Sequence, residues 1–351
     1  MSHPKVVAFV LSTKTKTSSA SERRVPLFMN EQASPNSETA DSWRWPIARL
    51  RKFTPAVIPT LVVLVVGLYL YALAYRVIWN RIHPHSSTTA IGLICGFVVI
   101  VAVIVFQLCL IHIQGPGYIC EGYVKSSDDD PFLSDAQGYV LWCSECNQVK
   151  PSRAHHSSRL GRCIPIMDHY CVWLGAVIGQ GNRKAFINFT LSVNMGFMYA
   201  FVILLVYQHK PYPETLALSI VLYILTVLFG SFSVAVLLQH LRMLAKCQTT
   251  ITQMRFQGKL DTYVNFRVAS KRRVVNITLK GYELSDLFSR GIYNNILDVM
   301  GPWWAWFLPV RGDYAEPRFN PVLIAKFVEE SELELKEALK LSPDATPAAT
   351  S

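Results

Sequence analysis

The sequence predicts an all-α polytopic membrane protein with four transmembrane helices and a small cytosolic cysteine-rich domain between helices two and three. Hydrophobic residues make up 51% of the chain and charged residues only 17%, which is typical of several membrane spans rather than of two or three soluble domains. Four long apolar runs supply candidate spans, and a segment rich in cysteine and histidine lies between the second and third.

The apolar runs are long enough to cross a bilayer. Between Lys52 and Arg76 no charged residue occurs, and residues 55–75 are almost all aliphatic or aromatic. A helix needs about 20 such residues to cross the hydrocarbon core. The other runs cover residues 89–111, 186–207 and 215–241. Four uncharged runs of this length favour membrane spans over buried soluble helices, and the lack of internal charge disfavours a transporter.

Basic residues predict the orientation of the spans. Lysine and arginine concentrate in the N-terminal tail, the central loop and the C-terminal segment, whereas the loop between spans three and four carries only Lys210. Such an asymmetry places both termini and the central loop in the cytosol. The net charge of +10 is therefore assigned to a membrane surface, and no nucleic-acid partner is expected.

These patterns divide the chain into six parts. Residues 1–53, rich in serine, threonine and proline, are predicted to be a disordered cytosolic tail. Residues 54–111 form helices one and two, residues 112–185 the cytosolic cysteine-rich domain, and residues 186–241 helices three and four. A cytosolic region that packs on the membrane domain follows over 242–328, and 329–351 begins as an acidic helix candidate and ends as a flexible tail.

The central loop holds the residues that carry chemistry. A C-x-x-C pair opens it, a histidine pair and a further cysteine follow, and an acid, a base and a thiol then occur within four positions. These residues are Cys143, Cys146, His155, His156, Cys163, Asp168, His169 and Cys171. In a reducing compartment C-x-x-C spacing favours a metal over a disulfide. A redox pair is the rival interpretation, but the βαβ context of that motif is missing.

Together with Lys150-Pro151-x-Arg153, Trp173 and Gly179-x-x-Asn182, the segment resembles the cysteine-rich domain of the DHHC protein S-acyltransferases (palmitoyltransferases). The tetrad is spelled DHYC, a variant of fungal style. Gly115-Pro116-Gly117 and Thr249-Thr250-Ile251-Thr252 resemble two further family motifs, each without its acidic residue. Residues 295–309 resemble the family's C-terminal element.

The resemblance implies two zinc sites, of which this chain keeps one. The first set falls on Cys143, Cys146, His156 and Cys163, all of them competent zinc ligands. The second falls on Ser157, Leu160, Tyr170 and Val177, and none of these is a usual zinc ligand. One structural zinc ion per chain is therefore expected.

The resemblance also implies a two-step acyl transfer. Cys171 is the expected nucleophile, His169 its general base and Asp168 the residue that orients the imidazole. Palmitoyl-CoA, or another fatty acyl-CoA, is the expected co-substrate. Cysteine-containing, membrane-associated proteins are the expected acceptors, and the bilayer is expected to surround the helices. In the alternative interpretation Cys171 is a further metal ligand.

Three residues are predicted to bind the acyl-CoA: Trp173, Lys150 and Arg153. Arg183 and Lys184 are basic residues expected on the same cytosolic face, where the CoA phosphates would lie. Plain membrane-surface charge is the alternative for each of these basic residues. His155 is left open between an exposed loop histidine and a contact to substrate or phosphate.

Two rival functions remain at this point. The missing second zinc set and motif acids favour an inactive scaffold, while the intact Asp-His-x-Cys favours an enzyme. A zinc-dependent nucleic-acid binder would need a basic surface interleaved with aromatic residues, which the tetrad region does not clearly show.

Overall fold

A computed structural model describes residues 59–119, 130–207, 213–258, 260–268, 271–309 and 318–340. The predicted N-terminal tail, residues 1–53, lies outside these ranges. Within them, four helices are long and apolar enough to cross a membrane: α1 (Pro59–Asn80), α2 (Ser87–Gln114), α3 (Arg183–Tyr207) and α4 (Pro213–Ala245). From Ala72, α1 has π-helical geometry, which continues past the end of this span to Ile82. The chain is a multi-pass membrane protein.

The helices extend beyond the apolar runs that predicted them. Helix α1 continues past Arg76, and α3 begins at Arg183, which the sequence placed in the central loop. Helical hydrogen bonding continues wherever the backbone geometry allows it, whereas apolar composition marks only the part of a helix that meets the hydrocarbon core.

The four helices pack around a shared apolar interior. Leu73, Ile78, Leu204 and Leu222 are almost fully buried there, and many large apolar side chains on the outward faces are exposed. The Tyr69 hydroxyl lies 2.6 Å from Oγ1 of Thr226, which ties α1 to α4 by a hydrogen bond. Such a bond stabilises helix association where no water is present to replace it.

The cysteine-rich region consists of three antiparallel hairpins. Strand β2 (Trp142–Cys143) pairs with β3 (Gln148–Val149), β4 (His155–Ser157) with β5 (Arg162–Ile164), and β6 (His169–Cys171) with β7 (Ala176–Ile178). Each hairpin contains a turn residue in the left-handed region: Asn147 (φ 51°), Gly161 (φ 63°) and Gly175 (φ 64°). Glycine and asparagine tolerate this conformation best, so the turns fix where each hairpin closes.

A three-stranded sheet lies outside the hairpins. Strand β1 (Phe132–Ser134) pairs with β8 (Tyr263–Val268), which pairs with β9 (Lys271–Asn276). Helix α7 (Pro321–Lys340) packs on this sheet, with the Phe327 ring stacked 6.2 Å from that of Phe266. The prediction of an all-α fold omitted these strands. Strand β1 pairs with β8 across more than a hundred positions, whereas β8 and β9 are neighbours in the chain and their pairing was overlooked. The acidic helix expected from residue 329 begins at Pro321, and residues 341–351 lie outside the described ranges.

The segments after α4 return to the membrane helices. Helix α5 (Thr250–Gln257) follows α4, and α6 (Ile292–Met300) leads into a 3₁₀ turn at Trp303–Ala305. Asn295 Nδ2 donates to the Ala245 carbonyl at 2.8 Å, and Lys184 Nζ donates to the Ala305 carbonyl at 2.6 Å. These contacts hold the C-terminal region against the ends of α3 and α4.

Candidate active site and metal centre

Two hairpins bring the four predicted metal ligands together. Cys143 ends β2 and Cys146 lies in the turn that follows, while His156 and Cys163 face each other across β4 and β5. The four ligand atoms all lie within 4.8 Å of one another. Nδ1 of His156 is 3.6 Å from Sγ of Cys143 and 3.2 Å from Sγ of Cys146.

This donor set fits a tetrahedral zinc ion. With ordinary Zn–S and Zn–N bonds, a sulfur and a nitrogen ligand stand about 3.6 Å apart. Burial, and then the neighbouring thiols of Cys143 and Cys146, raise the pKa of the Cys163 thiol to about 12. Three crowded thiols cannot all ionise without a cation between them. Both the spacing of the ligands and their charge chemistry therefore suit zinc.

The positions of the second ligand set carry a different interaction. Tyr170 and Val177 face each other across β6 and β7, Ser157 is buried, and Leu160 is partly exposed. The Arg159 guanidinium lies over the Tyr170 ring, 4.6 Å from its centroid. A cation–π contact occurs here, beside positions where other members of the resembled family are expected to ligate zinc.

Strand geometry explains why the tetrad reads Asp-His-x-Cys. His169 and Cys171 are two residues apart on β6, so their side chains share one face of the strand and Tyr170 takes the other. The extended strand thus brings the reacting groups together. Cys171 is 8% exposed, and Asp168, directly before the strand, is fully buried.

Asp168 is held through both of its carboxylate oxygens. The Thr250 backbone N–H donates to Oδ1 at 2.6 Å, and Nδ1 of His169 lies 3.4 Å from Oδ2. Burial opposes the charge on Asp168, but the contact with His169 and the nearby Arg183 outweigh it and hold the pKa of the carboxyl well below its usual range. Asp168 is therefore an anion at physiological pH.

His169 is correspondingly charged. Burial lowers its affinity for a proton, but the polar contacts with Asp168 and Cys171 and their negative charges outweigh burial and raise the pKa of His169 to about 9. At neutral pH the imidazole is therefore protonated on both nitrogens and carries a positive charge. A charged imidazole can stabilise a thiolate beside it and can later release a proton to a leaving group.

The N-terminus of α5 positions the amide that binds Asp168. Thr249 N donates to Oγ1 of Thr252 at 2.8 Å, and Thr252 N donates to Oγ1 of Thr249 at 3.2 Å. This reciprocal pair is a capping box in which the Thr252 hydroxyl accepts the hydrogen bond that a glutamate carboxylate usually accepts. The acid missing from this motif is thus replaced by a hydroxyl, and the cap that it forms is retained.

The glycine-rich motifs join α2 to the catalytic hairpin. Asn182 Nδ2 donates to the carbonyls of Ile111 (3.1 Å) and Val177 (3.0 Å), which connects the end of α2 to β7. A Cβ on Gly181 would lie 2.7 Å from the Gly115 carbonyl oxygen, so only glycine fits there. The turn at 115–117 therefore packs closely without the acid that the family places first.

The predicted acyl-CoA residues lie in different environments. Trp173 is 54% exposed and makes an edge contact with Phe232 of α4, and Lys150 is half-buried. Arg153 is buried, and its guanidinium donates to Sγ of Cys247 at 3.3 Å and to the Cys247 carbonyl at 2.9 Å. Arg153 thus joins the cysteine-rich region to the segment after α4.

Arg183 and Lys184 do not lie on an open cytosolic face. Both side chains are buried in the first turn of α3, and each donates a hydrogen bond to a backbone carbonyl inside the protein. Arg183 donates to the Gln248 carbonyl at 2.6 Å, and Lys184 to that of Ala305. The expectation that these two residues face CoA phosphates is therefore not supported by their positions.

His155 is half-buried near several cations. Burial, and then the charges of Arg255, Lys150 and Arg153, lower its pKa to about 4. His155 is therefore neutral at physiological pH. The interpretation as an exposed loop histidine is wrong, because His155 lies on strand β4 and its side chain is half-buried.

One residue near the reacting group had no signal in the sequence. Nε2 of His240, near the end of α4, lies 3.8 Å from Oδ2 of Asp168. Its ring centroid is 5.5 Å from that of His169 and 4.9 Å from that of Phe186. Its place among the last residues of an apolar run, next to Gln239, does not single it out in the sequence.

The chain is similar in sequence to known proteins. The family model for the DHHC palmitoyltransferase matches residues 137–257. Palmitoyltransferase PFA5 of Eremothecium gossypii is 28% identical over 284 residues, which cover 71% of this chain and 77% of that protein. Palmitoyltransferase PFA5 of Saccharomyces cerevisiae is 27% identical over 285 residues (70% and 75%). Probable protein S-acyltransferase 14 of Arabidopsis thaliana is 27% identical over 234 residues (58% and 76%). The hairpins, the tetrad and these matches together place the chain in the DHHC palmitoyltransferase family.

Proposed function

We propose that this palmitoyltransferase moves a long-chain fatty acyl group from acyl-CoA to cysteine thiols of membrane-associated proteins through a thioester on Cys171. The observation that carries the proposal is the shared face of His169 and Cys171 on β6, with Asp168 anchored behind them. Enzymes activate a nucleophile with this arrangement: a base lies beside the nucleophile, and a carboxylate orients the base.

In the first step Sγ of Cys171 attacks the thioester carbon, and its proton resides on His169. The C–S bond to CoA then breaks, and the CoA thiolate takes the proton from His169. In the second step the acceptor thiol gives its proton to His169 and attacks the acyl carbon on Cys171. Cys171 leaves as a thiolate and recovers the proton. The first step releases one proton with CoA, the second step takes one up from the acceptor thiol, and the enzyme is protonated as it began once the cycle is complete.

The polar and apolar parts of the acyl donor should bind in surroundings of matching polarity. The apolar interior between the four helices would take the fatty chain, with each buried methylene contributing about 0.8 kcal/mol. Lys150 and the exposed Trp173 are retained as the residues that bind CoA, with Arg255 added as a cation near His155. Arg153, whose guanidinium is engaged by Cys247, is assigned to holding the site together.

One zinc ion on Cys143, Cys146, His156 and Cys163 would stabilise the hairpins that carry the reacting strand. When bound, it supplies structural cross-linking and takes no part in the acyl transfer. Cytosolic placement of this domain and of both termini is supported by the distribution of lysine and arginine.

Replacement of Cys171 tests the proposal directly. Purified protein incubated with labelled palmitoyl-CoA is expected to carry a hydroxylamine-sensitive label, and mass mapping is expected to place it on the peptide containing Cys171. Cys171→Ala should abolish both the label and transfer to an acceptor, because no thiol remains to form the thioester. Cys109→Ala, which removes an exposed cysteine of α2, is the matched control and should keep both. A wild-type level of label on Cys171→Ala would show that another residue is the nucleophile.

A further inference from the structure

Two hairpins of the cysteine-rich region meet where the resembled family is expected to hold a second metal. Ser157 and Leu160 belong to the β4–β5 hairpin, and Tyr170 and Val177 face each other on β6 and β7. A hydroxyl, two aliphatic side chains and a phenol do not fit a zinc ion. The β6–β7 hairpin carries the reacting pair, so the contact that joins it to its neighbour bears on the reaction.

A cation from the first hairpin reaches the second. Arg159 lies in the turn between β4 and β5, and its guanidinium carbon is 4.6 Å from the centre of the Tyr170 ring. The guanidinium keeps its charge at every physiological pH, and the negative face of an aromatic ring attracts it. The two hairpins are therefore joined by an organic cation at the place of the missing metal. We name this contact the Arg159–Tyr170 clamp.

Strand geometry connects the clamp to the reacting pair. Tyr170 stands between His169 and Cys171 on β6, and side chains alternate between the two faces of a strand. A ring that is held on one face therefore fixes the rotation of the strand, and with it the direction of the two side chains on the other face.

We propose that Arg159 is a positioning residue of the acyl transfer and takes the structural place of the second metal. It acts through the Tyr170 ring, which holds β6 in the rotation that directs His169 and Cys171 to the acyl donor, and it touches none of the reacting atoms. The proposal rests on the proposed role of Cys171. It adds to the site a side chain from a hairpin whose known task is to hold zinc.

The competing explanation is that Arg159, an exposed residue, is an ordinary solvated cation on a surface turn. Conservative substitutions separate the two explanations. Arg159→Lys keeps a cation near the ring, whereas Arg159→Met keeps a long side chain without the charge. Tyr170→Phe keeps the face of the ring, and Tyr170→Leu removes it. Arg162→Met is the matched control, because Arg162 of β5 makes a comparable contact that does not involve β6, 4.8 Å from the centre of the Tyr118 ring.

The first measurement is the single-turnover rate of Cys171 acylation by the full-length protein at saturating labelled palmitoyl-CoA. We expect Arg159→Met to slow it by about two- to fivefold, the rate equivalent of about 0.5–1 kcal/mol for an exposed cation–π contact. The half-saturating concentration of palmitoyl-CoA and the zinc content should not change. Arg159→Lys should recover most of the rate, and Tyr170→Phe and Arg162→Met should match wild type.

A double variant tests whether the two residues act through one contact. Tyr170→Leu should slow acylation at least as much as Arg159→Met does. Adding Arg159→Met to Tyr170→Leu should slow it no further, because the contact is already lost. Slowing that multiplies in the double variant would show that the two side chains act independently, and the clamp would be rejected.

The second measurement is hydrogen exchange of the backbone amides, which reports local opening and needs no acyl-CoA. In Arg159→Met the peptides that cover β6 and β7 should exchange faster than in wild type by about two- to fivefold, the same loss of contact energy. The peptides that cover β2 and β3 should exchange at the wild-type rate. Arg162→Met should leave β6 and β7 unchanged.

Wild-type acylation by Arg159→Met, or wild-type exchange of its β6 and β7 peptides, would overturn the proposal. If Tyr170→Leu fails to retain zinc, the comparison of Arg159→Met with Arg159→Lys decides alone. The outcome is separate from that of the parent proposal. Absence of an adduct on Cys171 in the wild-type protein would reject the thioester, whereas an adduct that forms at one rate with and without the cation would reject only the role of Arg159.

Discussion

At the scale of single residues, the main feature of the reacting group is the pair of opposite charges on Asp168 and His169, which lie away from solvent. Asp168 is fully buried and still anionic, because a backbone amide and a charged imidazole compensate for the lost water. His169 is charged for the reciprocal reason. Each residue favours the charged form of the other, so substitutions at the two positions should be strongly non-additive.

The raised pKa of His169 predicts a pH-dependent contribution to stability. Its pKa is 6.5 in an unfolded chain and about 9 in the folded protein. The stabilisation is therefore fully present below pH 6.5 and is lost as the pH rises to about 9. The difference in thermal unfolding temperature between wild type and His169→Gln should be larger at pH 6 than at pH 9.5. A difference that is the same at both values would mean that His169 is uncharged in the folded protein.

Tyr170 should matter for packing and not for chemistry. Its side chain lies on the face of β6 away from His169 and Cys171, and its ring contacts Arg159. Tyr170→Phe keeps the ring and should leave acylation and stability close to wild type. Tyr170→Ala should cost on the order of 1 kcal/mol or more of stability, measured by thermal unfolding, because the cation–π contact and the ring packing are both lost. A loss of acylation by Tyr170→Phe as complete as that of Cys171→Ala would show that the phenol takes part in the reaction.

At the scale of elements, short helices and hairpins place groups that the long helices cannot reach. Helix α5 is an example, since its capped first turn presents the Thr250 amide to Asp168. The four-residue motif at 249–252 was recognisable in the sequence. Its purpose was not, because a backbone amide has no signature in a sequence and its partner lies 82 positions away.

The capping box makes a testable link between α5 and catalysis. Thr252→Val removes the hydroxyl that caps Thr249, and should cost about 0.5–2 kcal/mol of stability. It should also slow acylation, because the amide of Thr250 becomes less firmly placed. Thr252→Glu supplies the residue that is usual at this position of a capping box and should keep both properties. Both are measured by thermal unfolding and by single-turnover labelling, and acylation by Thr252→Val at the rate of Thr252→Glu would contradict the link.

At the scale of the whole molecule, the metal count distinguishes this chain from the two-site pattern of the resembled family. One zinc ion per chain is expected, because serine, leucine, tyrosine and valine cannot replace thiolate and imidazole ligands. Cys163→Ala should lose the zinc and with it the hairpins and acylation, since structural zinc contributes on the order of 10–16 kcal/mol of apparent binding free energy in small domains. Elemental analysis of the purified protein measures the count. Two zinc ions per chain would mean that Cys171 or His169 serves as a ligand, and the catalytic roles would have to be reassigned.

Much of this organisation could be predicted from composition and spacing. The four helices follow from uncharged runs, and the zinc ligands follow from residue types whose chemistry leaves few alternatives. The sheet of β1, β8 and β9 was not predicted. Strand β1 has only three residues and pairs with a strand far along the chain, whereas β8 and β9 are neighbours in the chain and were overlooked. The burial of Arg153, Arg183 and Lys184 was also missed, since their internal carbonyl partners come from segments after α4. Residue type identifies a basic side chain, whereas its accessibility depends on the whole fold.

The bond between Thr250 and Asp168 also sets an order of events while the protein is being made. Ribosomes add about 5–20 residues per second, so the 82 positions between the two residues take about 4–16 s to synthesise. During that interval Cys171 is already part of the growing chain, but the amide that fixes the aspartate does not yet exist. The Thr250 amide is added only after both remaining membrane helices, α3 and α4, have been translated.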